Sequence, residues 1–194
     1  MKKLKLGVVP IKRTFLPMEA AKAQKDEFMP VIRSIKSDYV EIIDVDELTE
    51  NGIAFTYDVI APIVKKLKDN EIDALFLPFC DFGEESVAAG IASAFKVPTL
   101  VWGPRDTEPN SDVTRGRDTQ CGIIAATKVL SRCGVKFSYI VNCPTQSEQF
   151  KNGFEHRFTP EILFKVVQNV QKKPHDLTAV RFLANTETQY IGEI

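Results

Sequence analysis

Residues 72–103 read IDALFLPFCDFGEESVAAGIASAFKVPTLVWG, and the fold turns on them. The run IDALFLPF is apolar almost throughout, as in a strand covered on both faces. EESVAAGIASAFK is rich in small residues and suits a helix packed closely on a sheet. PTLVWG is again an apolar strand. A helix between two such strands is the crossover of a parallel sheet.

The same alternation extends outward. KLKLGVVPI (3–11) reads as a first buried strand, ended by Pro10. PMEAAKAQKDEFMPVIRSIK (17–36) reads as a helix, with Pro17 in its first turn and Pro30 expected to kink or interrupt it. YVEIIDV is a second strand. TYDVIAPIVKKLKDN is a second helix, where Pro62 is tolerable only near the first turn. DTQCGIIAATKVLSRCG is a fourth helix, with Asp118 as N-cap and Gly134 just past its end. FSYIVNC is a fifth strand. SEQFKNGF and TPEILFKVVQNVQKK are helical, with Thr159 as cap and Pro160 at the first helical position. The expected fold is α/β: a doubly wound parallel sheet in the flavodoxin-like order 2-1-3-4-5, with helices on both faces. One Rossmann-like domain is expected over residues 1–172, and 173–194 form a tail of different character. Within it, TAVRFLA reads as one further strand, where another α/β unit would begin.

The 194 residues suffice for one domain with a full core. Lys+Arg 25 against Asp+Glu 26 leaves a net charge of -1, which favours neither nucleic acid nor an anionic membrane. The sequence has no apolar run long enough to span a bilayer, and MKKLKLGVVPIKRTF makes a poor signal peptide. Cys80, Cys121, Cys133 and Cys143 form no C-x-x-C pair, so reduced, mostly buried thiols in a cytoplasmic protein are expected.

Open α/β sheets bind ligands outside the carboxyl ends of their strands. That edge collects Lys12, Arg13 and Thr14 after strand one, and Phe79 to Glu85 after strand three. Trp102, Arg105 and Asp106 follow strand four, and Asn142, Cys143 and Pro144 follow strand five. Asp81, Glu84 and Glu85 suit a metal or acid–base role, but Glu84 and Glu85 at a helix start also suit the macrodipole alone. The first turn, VVPIKRTF, has no glycines to cradle phosphates, which disfavours a dinucleotide. His156 and His175 lie in polar surroundings without partner ligands, and read as surface residues. Ser86 and Cys121 have no histidine in motif context, so a nucleophilic triad has no support. Arg105, Arg115 and Arg117 can grip a phosphate. Interleaved with Asp106, Glu108, Asp112 and Asp118, they read rather as internal ion pairs that order a long loop.

Four stretches carry a resemblance: GVVPIKRTF, LPFCDFGEESVAAGIA, VPTLVWGPRD and RGRDTQCGIIAATKVLSRCGVKFSYIVNCP. Together they resemble the N-terminal domain of the L-fucose/L-arabinose isomerase-like family over residues 3–170. The resemblance implies aldose–ketose isomerisation with manganese, whose Glu, Asp and His ligands lie in a later part of a longer chain. It also implies a homo-oligomer in which strand-end loops close over a neighbouring subunit's active site. On that basis Arg13, Cys80, Asp81, Trp102 and Gln120 are the expected sugar-facing positions. Cys80 departs from the aromatic residue of fucose isomerases, which weakens fucose as the substrate. No catalytic residue and no metal ligand is expected within this chain.

The resulting expectation is an isomerase N-terminal domain, inactive alone, that binds sugar with a homo-oligomeric partner or a separate catalytic domain. The alternative is a stand-alone sugar-binding or regulatory module. Gln120 should occupy the first turn of the fourth helix at the carboxyl edge. At least one of Phe79, Phe82 and Trp102 should be exposed beside Arg13 or Gln120.

Overall fold

A computed structural model describes residues 3–35, 38–106 and 117–155. Its elements run β1 (Leu4–Val8), α1 (Met18–Ser34), β2 (Val40–Ile43), α2 (Ile60–Asp69), β3 (Ala74–Pro78), α3 (Glu85–Ala92), β4 (Thr99–Trp102), α4 (Thr119–Arg132) and β5 (Phe137–Tyr139). A further helix, α5, covers 148–155. The five strands are all parallel and lie in the order β2-β1-β3-β4-β5, as the alternation of apolar runs and helices predicts.

The buried strands divide their side chains between two cores by simple alternation. Along β3, Ala74 and Phe76 enter one core, and Leu75 and Leu77 the other. The first core lies under α1, with Phe28 and Ile32, and under α5, with Phe150 and Phe154. The second lies under α2, α3 and α4, with Leu67, Ile91 and Leu130. Each fully buried side chain of this size stabilises the fold by about 1.5–3 kcal/mol.

Helix boundaries follow local chemistry with two exceptions. Pro62 sits in the first turn of α2, where its missing N–H costs nothing. α4 ends as predicted at Gly134, whose φ of 70° allows two closing bonds. Gly134 N–H donates to Ser131 O and Val135 N–H to Leu130 O, each at 3.0 Å. Pro30, expected to kink or interrupt α1, is contained within one continuous helix. It lies on the exposed side, so water can serve the carbonyl that its missing N–H leaves unpaired. Asp118 does stand at the N-cap of α4, but its backbone is left-handed at φ 55° and its side chain makes no capping bond. Asp106 caps in its place: its Oδ1 accepts from the Thr119 N–H at 3.2 Å.

Cys80 and Cys143 are buried, whereas Cys121 and Cys133 are exposed. The expectation of mostly buried thiols therefore holds for half of them. No helix among the described residues is long and apolar enough to cross a membrane. The helix expected at 159–173, the tail 173–194, His156, His175, Glu108, Asp112 and Arg115 lie outside the described residues.

Candidate functional site

The sheet order reverses direction between β1 and β3, and the chain beyond both strands is held tightly there. Ile11 N–H donates to Pro78 O at 2.9 Å, Cys80 N–H to Ile11 O at 2.8 Å, and Lys12 N–H to Ala54 O at 3.2 Å. These bonds carry the sheet past Pro10 and fix where Arg13 leaves it. Asp81 then joins the two loops. Its Oδ1 accepts from Arg13 N–H at 2.7 Å and from Gly83 N–H at 2.8 Å. Its Oδ2 is buried and has no hydrogen-bond partner among the described residues. Burial pushes the Asp81 carboxyl above its ordinary range, against the lowering pull of the two N–H bonds and of Lys12 and Arg13.

Arg13 is surrounded by acceptors and rings. Its guanidinium bonds Glu85, lies 3.5 Å from Glu84 and donates to Gly83 O at 3.3 Å. It also lies over the Phe82 ring at 5.1 Å and the Phe15 ring at 5.5 Å. Glu84 has further partners. Thr14 Oγ1 lies 3.1 Å from Glu84 Oε2, and Ser86 Oγ donates to Glu84 Oε1 at 3.3 Å. With its proton so used, Ser86 receives one from Tyr57 Oη, 3.0 Å away. Glu84 and Glu85 thus do more than complement the dipole of α3: they neutralise Arg13.

Lys12, placed at this edge by the sequence but not among the five expected sugar-facing positions, is also part of the site. It is 2% exposed, donates to Arg13 O at 2.6 Å and covers Phe55 at 4.7 Å. Cys80 is fully buried. Burial first, and then the charge of Asp81, push its thiol well above the usual range, so it is no ready nucleophile.

A second arrangement lies beyond β4 and β5. Asn142 Nδ2 donates to Gly103 O at 2.9 Å, to Pro104 O at 3.0 Å and to Thr119 Oγ1 at 3.2 Å. Thr119 Oγ1 in turn donates to Pro104 O at 2.6 Å. Arg117 Nη2 donates to Arg105 O at 3.1 Å, and its Nε lies 3.8 Å from Asp106. Of the internal ion pairing expected of this loop, the Arg117–Asp106 pair is present among the described residues, whereas the Arg105 guanidinium makes no ion pair there. Gln120 is exposed in the first turn of α4 and lines a cleft of about 480 Å³ with Arg105, Ile124, Tyr139, Val141 and Asn142. A larger cleft of about 780 Å³ opens at the opposite, amino end of β4 and β5, away from the polar edge.

The five sequence-predicted positions therefore occupy three settings. Arg13 and Asp81 meet directly. Gln120 reaches the same edge, but at the β4–β5 end. Trp102 and Cys80 are 0% exposed, and Phe150 of α5 covers the indole with ring centroids 4.1 Å apart. At least one of three aromatics was expected exposed beside Arg13 or Gln120: Phe82 is partly exposed against Arg13, whereas Phe79 and Trp102 are fully buried. The two ends of the edge touch through Gly122. A Cβ there would fall inside the Phe82 carbonyl, so only glycine lets α4 lie against the β3 loop.

A manganese site needs a convergent set of oxygen or nitrogen ligands. Among the described residues, no three His, Cys, Asp or Glu side chains are grouped to hold a metal. Glu84 and Glu85 are engaged by Arg13, and Asp81 by two backbone N–H groups.

No curated protein matches the sequence. Two solved structures are similar in part. One is the periplasmic domain of a Salmonella ser. Paratyphi A lipopolysaccharide acetyltransferase, 10% identical over 84% of each chain with a TM-score of 0.37. The other is an azoreductase from Bacillus anthracis str. Sterne, 12% identical over 82% of this chain and 95% of that one, with a TM-score of 0.32. The family comparison is decisive, because the N-terminal domain of fucose/sulfoquinovose isomerases matches residues 7–171, most of the chain and both ends of the polar edge. By that match the chain belongs to the fucose/sulfoquinovose isomerase N-terminal domain family.

Proposed function

We propose that this domain supplies one wall of the sugar pocket of an aldose–ketose isomerase and is inactive alone. The family match over residues 7–171 carries the reading. Arg13 and Gln120 reach the sugar, Asp81 holds the loop that presents Arg13, and Cys80 and Trp102 form the covered floor. Proton transfer between the sugar's first two carbons, and the manganese that assists it, belong to a catalytic domain or to another subunit. A homo-oligomer brings the two halves together. Cysteines that form no C-x-x-C pair, two of them buried, suit the reducing cytoplasm.

Incubating the purified chain with manganese and a panel of aldoses should yield no ketose. Adding the family's catalytic domain should restore turnover, and Arg13→Ala should then raise KM. Turnover by the chain alone would overturn the reading.

A further inference from the structure

We propose that the cleft of about 780 Å³ at the amino end of β4 and β5 binds a small phosphate monoester with an apolar body. It lies at the other end of the strands from the sugar edge, so the inference stands apart from the sugar-pocket reading. Small-molecule sites commonly enclose about 300–1,000 Å³, and this cleft falls within that range. Two loops frame it, one leading from α3 into β4 and the other from α4 into β5. They bring Phe95, Val97, Val135 and Phe137 to its wall, each half-buried against the second core. Lys96 and Lys136 stand among them, both exposed, and no carboxylate among the described residues lines the cleft.

A lysine that follows a helix often serves the helix's last carbonyls and its dipole. Here both helix ends are already served. Ala89 O accepts from Ser93 N–H at 2.9 Å and from Ser93 Oγ at 2.6 Å. Ile91 O and Ala92 O accept from the N–H groups of Ala94 and Phe95 at 3.2 and 3.1 Å. At the end of α4, the carbonyls of Val129, Leu130 and Ser131 each accept a backbone N–H at 3.0 Å, and Arg132 supplies the cation of the last turn. Lys96 and Lys136 lie beyond the two helices and make no ion pair among the described residues. Lys68, 5.9 Å from the centroid of the Phe95 ring, adds a further positive charge beside the same wall. Two ammonium groups without a counter-charge match the charge of about −1.5 to −2 that a phosphate monoester carries at neutral pH. The apolar wall between the loops takes the rest of the ligand.

The test is an amide-resolved NMR titration of the full 194-residue chain with phenyl phosphate, benzoate, inorganic phosphate and phenol, each at low and high salt. Phenyl phosphate should shift the amides of Val97, Thr99, Lys136 and Ser138, with an affinity that falls as salt rises. Inorganic phosphate, which lacks the apolar body, and phenol, which lacks the charge, should each bind there at least about tenfold more weakly. Benzoate should fall between them and phenyl phosphate. The double variant Lys96→Gln/Lys136→Gln should unfold at nearly the same urea concentration as the natural chain, since both side chains are exposed, and should lose at least about tenfold in affinity for phenyl phosphate. Phenyl phosphate that leaves those four amides unmoved, or shifts only amides of the sugar edge, would overturn the inference. Inorganic phosphate binding as tightly as phenyl phosphate would reduce the site to surface charge and overturn it as well. A folded double variant that binds phenyl phosphate undiminished would do the same. If the double variant does not fold, the phenol, phosphate and salt comparisons on the natural chain decide alone.

Discussion

The two ends of one sheet edge differ in what they leave unspent. Beyond β1 and β3, Arg13, Lys12 and one oxygen of Asp81 already have partners within the chain. Beyond β4 and β5, Asn142 and Thr119 are locked to carbonyls, but Gln120 is exposed above Ile124, Tyr139 and Val141. Those three are 64%, 53% and 49% exposed. The first end is preorganised, so a ligand there meets groups whose ordering cost was met on folding. The second is a mixed polar and apolar surface that gains most by being covered. Lying at the carboxyl edge is thus not enough to define a role, since both ends do.

The contact at Gly122 joins the two ends, and breaking it should have the largest effect. In the interior of an ordinary helix, alanine in place of glycine stabilises by about 0.5–1 kcal/mol. Here the added methyl must displace either α4 or the Phe82 carbonyl. Gly122→Ala should therefore destabilise, by about 1–3 kcal/mol, as overpacking does. Urea unfolding reads the sign directly. A stabilised variant would show that the ends are mechanically independent.

Asp81 sharpens the comparison through pH. Burial raises its carboxyl above the ordinary aspartate range. The folded chain therefore holds this proton more tightly than the unfolded chain. The stabilising contribution is fully present below the unfolded value and is lost as pH rises through the raised folded value. Asp81→Asn removes this titration while keeping an oxygen for the N–H groups of Arg13 and Gly83. The stability of the natural chain relative to the variant should grow as pH falls through that window, measured by unfolding at a series of pH values. The opposite slope would mean that the N–H bonds and nearby cations outweigh burial.

Much of this was legible in the sequence, and the gaps have a common cause. The strand order followed from apolar runs separated by helices, because a parallel strand buried on both faces has little other composition available. Gly134 was legible because a helix end needs a positive φ locally. Asp118 was misleading for the opposite reason. The residue type suits an N-cap, but its backbone is left-handed, and the bond comes from Asp106, thirteen positions before the Thr119 that it caps. The burial of Trp102 was not legible either, because Phe150 reaches it from a helix far along the chain. The commitment of Arg13 to Glu84 and Glu85 spans some seventy positions and arises only once β1 and β3 pair. Local signals report local geometry, whereas the state of a charge depends on which distant loop the sheet brings beside it.

Gln120 supplies the smallest and most selective test. It is exposed at the second position of α4, and its side chain makes no hydrogen bond among the described residues. A surface residue of this kind changes stability by within about 0.5 kcal/mol when truncated. Gln120→Ala should therefore unfold at nearly the same urea concentration as the natural chain, with alanine's helix propensity offsetting what little is lost. Any effect it has should fall on binding, once the catalytic partner is present to close the cleft that it shares with Arg105 and Tyr139. KM should rise with kcat little changed if the amide contacts the sugar equally in the ground and transition states. A stability loss above about 1 kcal/mol would instead make Gln120 a structural clamp on the loop. The β4–β5 end would then be as fully committed as the β1–β3 end, and the difference between the two would disappear.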